Sequence, residues 1–221
     1  MKKKYLIFEF LTVLVFLVLP PLFNFSNNSS PVETAGIFSI NVVFQFLVSL
    51  ALDFQHRSFF SSQKEVLNAR IIKFCLYSTL SLGCLMAVYA VFETVSFLLP
   101  QFFSSSESYV YDENLTPLFW VFSVFNFFTA AYYEEVIYRQ FLPYFTAALT
   151  GNRKYSGMAS EVTALTLFSL SHVYLGFSAV LNALICGIIL RLCMKKTGTV
   201  TAGTFAHFTY NFMLLLFYLF S

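Results

Sequence analysis

The side chains with chemical potential in this 221-residue chain sit in its apolar carboxyl-terminal half. Glu134, Glu135 and Arg139 share one hydrophobic run, His172 ends a second, and His207 and Asn211 lie in a third. A carboxylate that accepts a proton, imidazoles that hold or polarise water, and an amide that donates to developing negative charge are the groups from which hydrolysis is built. The same residue types also suit a catalytic zinc site, with Glu134, His172 and His207 as ligands and water in the fourth position. Buried Glu and His serve proton relays as well.

Spacing begins to sort these residues. Glu135 and Arg139 are four apart with the acid amino-terminal, the better orientation for an ion pair on a helix. Glu134 is turned about 100° from Glu135 and so has no local partner, which calls for a cavity or another polar group. His207 and Asn211 are also four apart and share one helical face. A single buried histidine is ordinarily a satisfied structural residue, whereas two at the level of an unpaired glutamate point to a site. For the other polar residues the plain reading is preferred. His56, beside Arg57, reads as solvated, Glu9, Asp53 and Glu65 read as interfacial acids, and Glu93 is left without a role. Cys75, Cys84, Cys186 and Cys193 fall in apolar segments without CxxC spacing, which argues against a disulfide framework or a thiolate metal site.

The elements that must position these groups follow from composition. The chain is 58% hydrophobic and 11% charged, with thirty Phe and a mean hydropathy of +0.72, so lipid is the expected solvent. A net charge of +2 without a continuous basic patch excludes nucleic acid as a partner. The expected fold is all-α, a polytopic membrane helix bundle forming a single domain over 1–221. Its spans, about seven in all, are placed near 5–23, 35–54, 71–99, 117–145, 158–175, 177–194 and 199–220. Lys2-Lys3-Lys4 and the following apolar run resemble a secretory signal, but Pro20-Pro21 follows instead of a small-x-small cleavage site, so a retained first span is expected. With the amino terminus in the cytoplasm, every Lys and Arg except Arg139 falls on the inner side, and the outer segments 24–34 and 101–116 carry acids but no basic residue. A multi-pass protein of a bacterial plasma membrane is the expected setting. Asn24-Phe-Ser and Asn114-Leu-Thr fit the glycosylation triplet.

Depth offers a separate check. With inner boundaries at Pro143, just after Glu161, and at Thr199, helical rise puts Glu134, His172 and His207 roughly 13, 15 and 12 Å from the inner face. Three separate spans therefore bring them to one level.

Read in order, Glu134-Glu135 through Arg139 spell EExxxR, Phe168 through His172 spell FxxxH, and His207 through Asn211 spell HxxxN, with Lys196-Thr197-Gly198 ahead of the last helix. Over about 117–221 the chain resembles the CAAX protease and bacteriocin-processing family, which includes type II CAAX prenyl endopeptidases. It departs from the family pattern at Tyr138, where Phe is common, and at Gln140, where Gly is common; the missing glycine puts local packing in question. The resemblance implies an intramembrane endopeptidase in which Glu134 is the general base and His172 helps to hold the water. His207 and Asn211 face the scissile carbonyl, and Glu135, Arg139 and Phe168 support them. It also implies a peptide or membrane-protein substrate, lipidated substrates included, and no cofactor. Zinc held by Glu134, His172 and His207 stays open but is disfavoured, because no HExxH pair prearranges two ligands and each would come from a different span. Two further readings are a non-catalytic membrane-binding member of the family and a transporter. No inverted repeat supports the transporter.

Overall fold

The computed structural model describes residues 3–23, 35–60, 67–100, 115–151 and 155–220. Within them the chain forms seven helical rods and no strand. Helix α1 runs Lys3–Val13 and continues through a π segment, Leu14–Val18, into Leu19–Phe23. Next come α2 (Ile40–Phe60) and α3 (Leu67–Leu98). Helix α4 runs Pro117–Glu134, passes through a second π segment, Glu135–Phe141, and ends as Leu142–Thr150. Helices α5 (Ser156–Leu170), α6 (Phe177–Thr197) and α7 (Thr201–Phe220) complete the bundle. This is the expected all-α membrane bundle. By length and composition alone, α3, α6 and α7 can each cross a bilayer, and large apolar side chains such as Phe54, Phe97 and Phe177 point outward as lipid requires. The segments 24–34 and 101–114, with the Asn24-Phe-Ser triplet and Asn114, and Lys64, Glu65, Arg153 and Lys154, lie outside the described residues.

Both π segments have a proline one turn ahead. A proline removes the N–H that the carbonyl four residues earlier would accept in an α-helix, and its ring crowds that carbonyl. Pro21 does this to Leu17, and Pro143 does it to Arg139. In each case a side chain from another helix donates instead: Tyr133 Oη of α4 to the Leu17 carbonyl at 2.6 Å, and Arg191 Nη1 of α6 to the Arg139 carbonyl. The sequence places the inner end of the fourth span around Pro143–Phe145, yet α4 continues through the proline to Thr150. Placing the proline at the first turn after the π segment lets the helix absorb it.

Helix α4 is the hub. It packs on α2, α5 and α7, while α3 covers α6 and α7 from the other side. Asn126, buried in α4, donates its amide to the carbonyls of Ala35 (2.7 Å) and Ile37 (2.9 Å), fixing the chain where it enters α2. The fifth element differs from expectation. The sequence predicts a span over 158–175, but the α-helix stops at Leu170, and a turn and a short 3-10 segment, Val173–Leu175, lead to Gly176. Non-helical backbone within an apolar bundle is tolerated where protein or a cavity surrounds it. His172 therefore sits on a turn beyond a helix end.

Candidate active site

The π segment widens α4 where its acids lie, and α7 approaches it closely. His207 Nδ1 stands 3.2 Å from Glu135 Oε1, and its Nε2 stands 3.7 Å from Glu134 Oε2. Glu135 is fully buried, and Glu134 keeps 23% of its side chain exposed. An ionised carboxylate only accepts, so the contact with Glu135 places a proton on His207 Nδ1 and turns Nε2 toward Glu134. The helix spacing that brings this about depends on Gly203, one turn before His207. A Cβ there would lie 2.8 Å from Glu135 Oε2, so the absent side chain makes room for the carboxylate.

Glu135 also faces Arg139 across 3.6 Å, the ion pair expected from their spacing. Neither residue reaches solvent. The guanidinium lies over the Phe168 ring with its central carbon 3.7 Å from the ring centroid, so its charge is balanced by one carboxylate and one aromatic face. Phe168 is nearly fully buried in α5 and is the common wall of the site. Tyr138 meets it edge-on at 5.3 Å, His172 at 4.9 Å and His207 at 6.5 Å.

His172 is held by the end of α5. Its backbone N–H bonds the Ser169 carbonyl at 3.1 Å, which leaves the Phe168 carbonyl for its ring Nδ1 (2.9 Å) and for the Ser171 hydroxyl (2.7 Å). With Nδ1 donating inward, Nε2 is the atom available to a substrate or water. Of the sequence-predicted residues, then, the structure joins Glu134, Glu135, Arg139 and His207 in one contact network. Phe168 forms its wall and His172 packs on that wall without a hydrogen bond to either glutamate. Asn211, one turn beyond His207, is half-buried and hydrogen-bonds to none of them. Among the described residues no three His, Cys, Asp or Glu side chains converge as metal ligands do.

Sequence reasoning missed two supporting groups. Asp53, expected to be interfacial, instead docks α2 on α4: its Oδ1 accepts from Gln140 Nε2 at 3.0 Å and its Oδ2 from the Tyr132 hydroxyl at 3.2 Å. The side chain at 140, where the family pattern has glycine, is therefore buried with a partner. Asp53→Ala should lower stability by about 1–3 kcal/mol, because it strands the buried Gln140 amide. Thermal unfolding of the detergent-solubilised variant measures this, and an unchanged midpoint would show that α2 docks by apolar contact alone. The second group is Glu161 of α5, which accepts from Arg191 Nε (2.7 Å) and Nη2 (2.6 Å) and pairs with Lys195 at 3.0 Å. The i,i+4 spacing of Arg191 and Lys195 was the available signal; their shared acid on another helix was not visible. Glu93 lies on the exposed face of α3 beside the Tyr89 hydroxyl, one turn away.

Compared with known proteins, residues 116–213 match the family model described as type II CAAX prenyl endopeptidase Rce1-like. No curated protein matches the chain, and no solved structure does.

Proposed function

From the match of residues 116–213 to the type II CAAX prenyl endopeptidase Rce1-like family model, we propose that the chain is an intramembrane endopeptidase using water activated by Glu134. The observation that carries this reading is Glu134, whose side chain is 23% exposed while its Oε2, buried and without a hydrogen-bond partner, stands beside His207 Nε2, backed by a fully buried Glu135. Glu134 takes a proton from water as the oxygen attacks the scissile carbonyl. Its neighbour His207 Nε2 can receive that proton. The ring, then doubly protonated between two carboxylates, hydrogen-bonds to the oxyanion through this Nε2–H and transfers the same proton to the amine nitrogen as the tetrahedral adduct collapses and its C–N bond breaks. His172 Nε2, across Phe168, helps to hold the water, and Asn211 donates to the oxyanion from the next turn of α7. The depth of Glu134, His172 and His207 in the inner half of the bilayer, set by helical rise from the inner boundary, favours entry from the inner leaflet or the cytoplasm, which suits a membrane-associated segment with an apolar or lipidated carboxyl-terminal tail.

The test uses purified full-length protein in liposomes and internally quenched peptides with an apolar tail, each with and without a farnesylated cysteine. Cleavage should survive a chelator and be lost in His172→Ala. Inhibition by chelator that zinc reverses would replace the glutamate mechanism with a metal one. A wild type that cleaves none of the peptides would favour a binding role for the same fold.

A further inference from the structure

Beyond the groups that face the substrate, one cation behind them has geometry that packing alone does not require. Arg191 lies in α6, 17% exposed. One edge of its guanidinium, Nε and Nη2, is locked in a two-pronged pair with Glu161 of α5. The remaining nitrogen, Nη1, donates to the carbonyl of Arg139. That carbonyl belongs to the π segment Glu135–Phe141 and is the one whose α-helical donor, residue 143, is a proline without an N–H. Lys195 adds a second charge to Glu161, so the acid is held as firmly as the base.

We infer that Arg191 is a positioning residue for the proposed reaction: it stands in for the N–H that Pro143 lacks and so fixes the π segment that presents Glu134 and Glu135 to His207. The inference rests on the endopeptidase reading for its kinetic consequence but not for its structural one. Arginine suits the task because a planar fork can satisfy a carboxylate on one edge and a carbonyl on the other, whereas a lysine ammonium cannot hold both in fixed directions. The linkage also explains why α5 and α4 keep register. Glu161 and Phe168 are on the same helix, so the clamp that sets the Arg139 backbone also sets the ring on which the Arg139 side chain lies. A displacement of about 1 Å in a general base is enough to cost a large part of its rate.

Three variants separate positioning from simple cohesion: Arg191→Lys, Arg191→Met, and the charge-swapped Glu161→Arg/Arg191→Glu. The charge swap restores an ion pair between α5 and α6 but puts a group at 191 that cannot donate to a carbonyl. Amide hydrogen exchange over 135–144 and thermal midpoint are measured for each in detergent, together with kcat and KM on the farnesylated quenched peptide. Arg191→Lys and Arg191→Met should speed exchange in the π segment about tenfold or more and lower kcat by about the same factor, with KM changing less than about twofold. The charge swap should recover the thermal midpoint while leaving exchange fast and kcat low. Recovery of exchange protection and kcat together with the midpoint would reduce Arg191 to an interhelical ion pair, as would unaltered exchange in Arg191→Met. If wild type proves inactive, the endopeptidase reading fails, and the exchange data still decide whether Arg191 holds the π segment.

Discussion

Glu134→Gln is expected to lower peptide cleavage by about 10²- to 10⁴-fold, the range associated with loss of a general base, without a shift in thermal midpoint. The substitution is nearly isosteric and removes only the proton-accepting oxygen. Glu134 makes no interaction on which the fold depends: its Oε2 is 3.7 Å from His207 Nε2, beyond hydrogen-bond reach, and it is the partly exposed member of the acidic pair. A structural acid at that place would behave in the opposite way, reducing stability and activity together. Because the substituted amide still occupies the space beside His207, KM should stay near the wild-type value, which marks the loss as one of transition-state stabilisation. Cleavage retained within about tenfold by Glu134→Gln would remove it from the role of base and leave Glu135 and His207 to be reconsidered.

The split between these two neighbouring glutamates was legible in the sequence, since only Glu135 has a basic residue at i+4. So were the seven helices, because apolar runs of bilayer length are the strongest signal a chain can carry. Depth puts Glu134, His172 and His207 at one level, but that His207 meets both acids while His172 meets neither is decided by how α7 and α5 pack on α4. What the sequence did not show depends on contacts between distant segments or on departures from ideal helix. Arg139 is legible as a helical neighbour of Glu135, but its stacking on Phe168 needs α5 beside α4. Asp53 looks interfacial because its partners, Tyr132 and Gln140, lie about eighty residues on and face it only once α2 is docked. The early end of α5 has no proline or glycine at Leu170 to announce it. Pro143 is visible, and reads as a stop; that it widens a helix into a π segment depends on Arg191 donating from α6 to the carbonyl it orphans. A break in local pattern thus has two outcomes, termination or accommodation, and only tertiary partners choose between them.

Glu135→Ala should be the most destabilising single change in the site, by about 3–5 kcal/mol, the penalty for leaving a buried charge without its partner. Arg139 is 1% exposed, and among the described residues the carboxylate of Glu135 is its only acidic neighbour within 4 Å. Phe168 remains over the guanidinium, but a cation–π contact is worth about 2 kcal/mol when desolvated, less than the cost of the unpaired ion. Removal of the charge should therefore rescue what removal of its partner damages. Glu135→Ala/Arg139→Met, which replaces the ion pair with apolar atoms, should recover most of the lost stability, because apolar replacement of a buried pair is often close to neutral. Activity should not return with it. His207 Nδ1 loses its acceptor in both variants, so the ring is free to take the other tautomer and to turn away from Glu134. Gly203→Ala supplies an independent perturbation of the same carboxylate, since a Cβ only 2.8 Å from Oε2 must push it aside while keeping its charge buried. Thermal unfolding of the four proteins, alongside cleavage of the quenched peptide, distinguishes the two functions of Glu135. If Glu135→Ala unfolds at the wild-type temperature, Arg139 has found another counter-charge and the pair does not hold α4. If the double variant regains cleavage along with stability, the acid serves the fold alone and His207 needs no carboxylate to orient it.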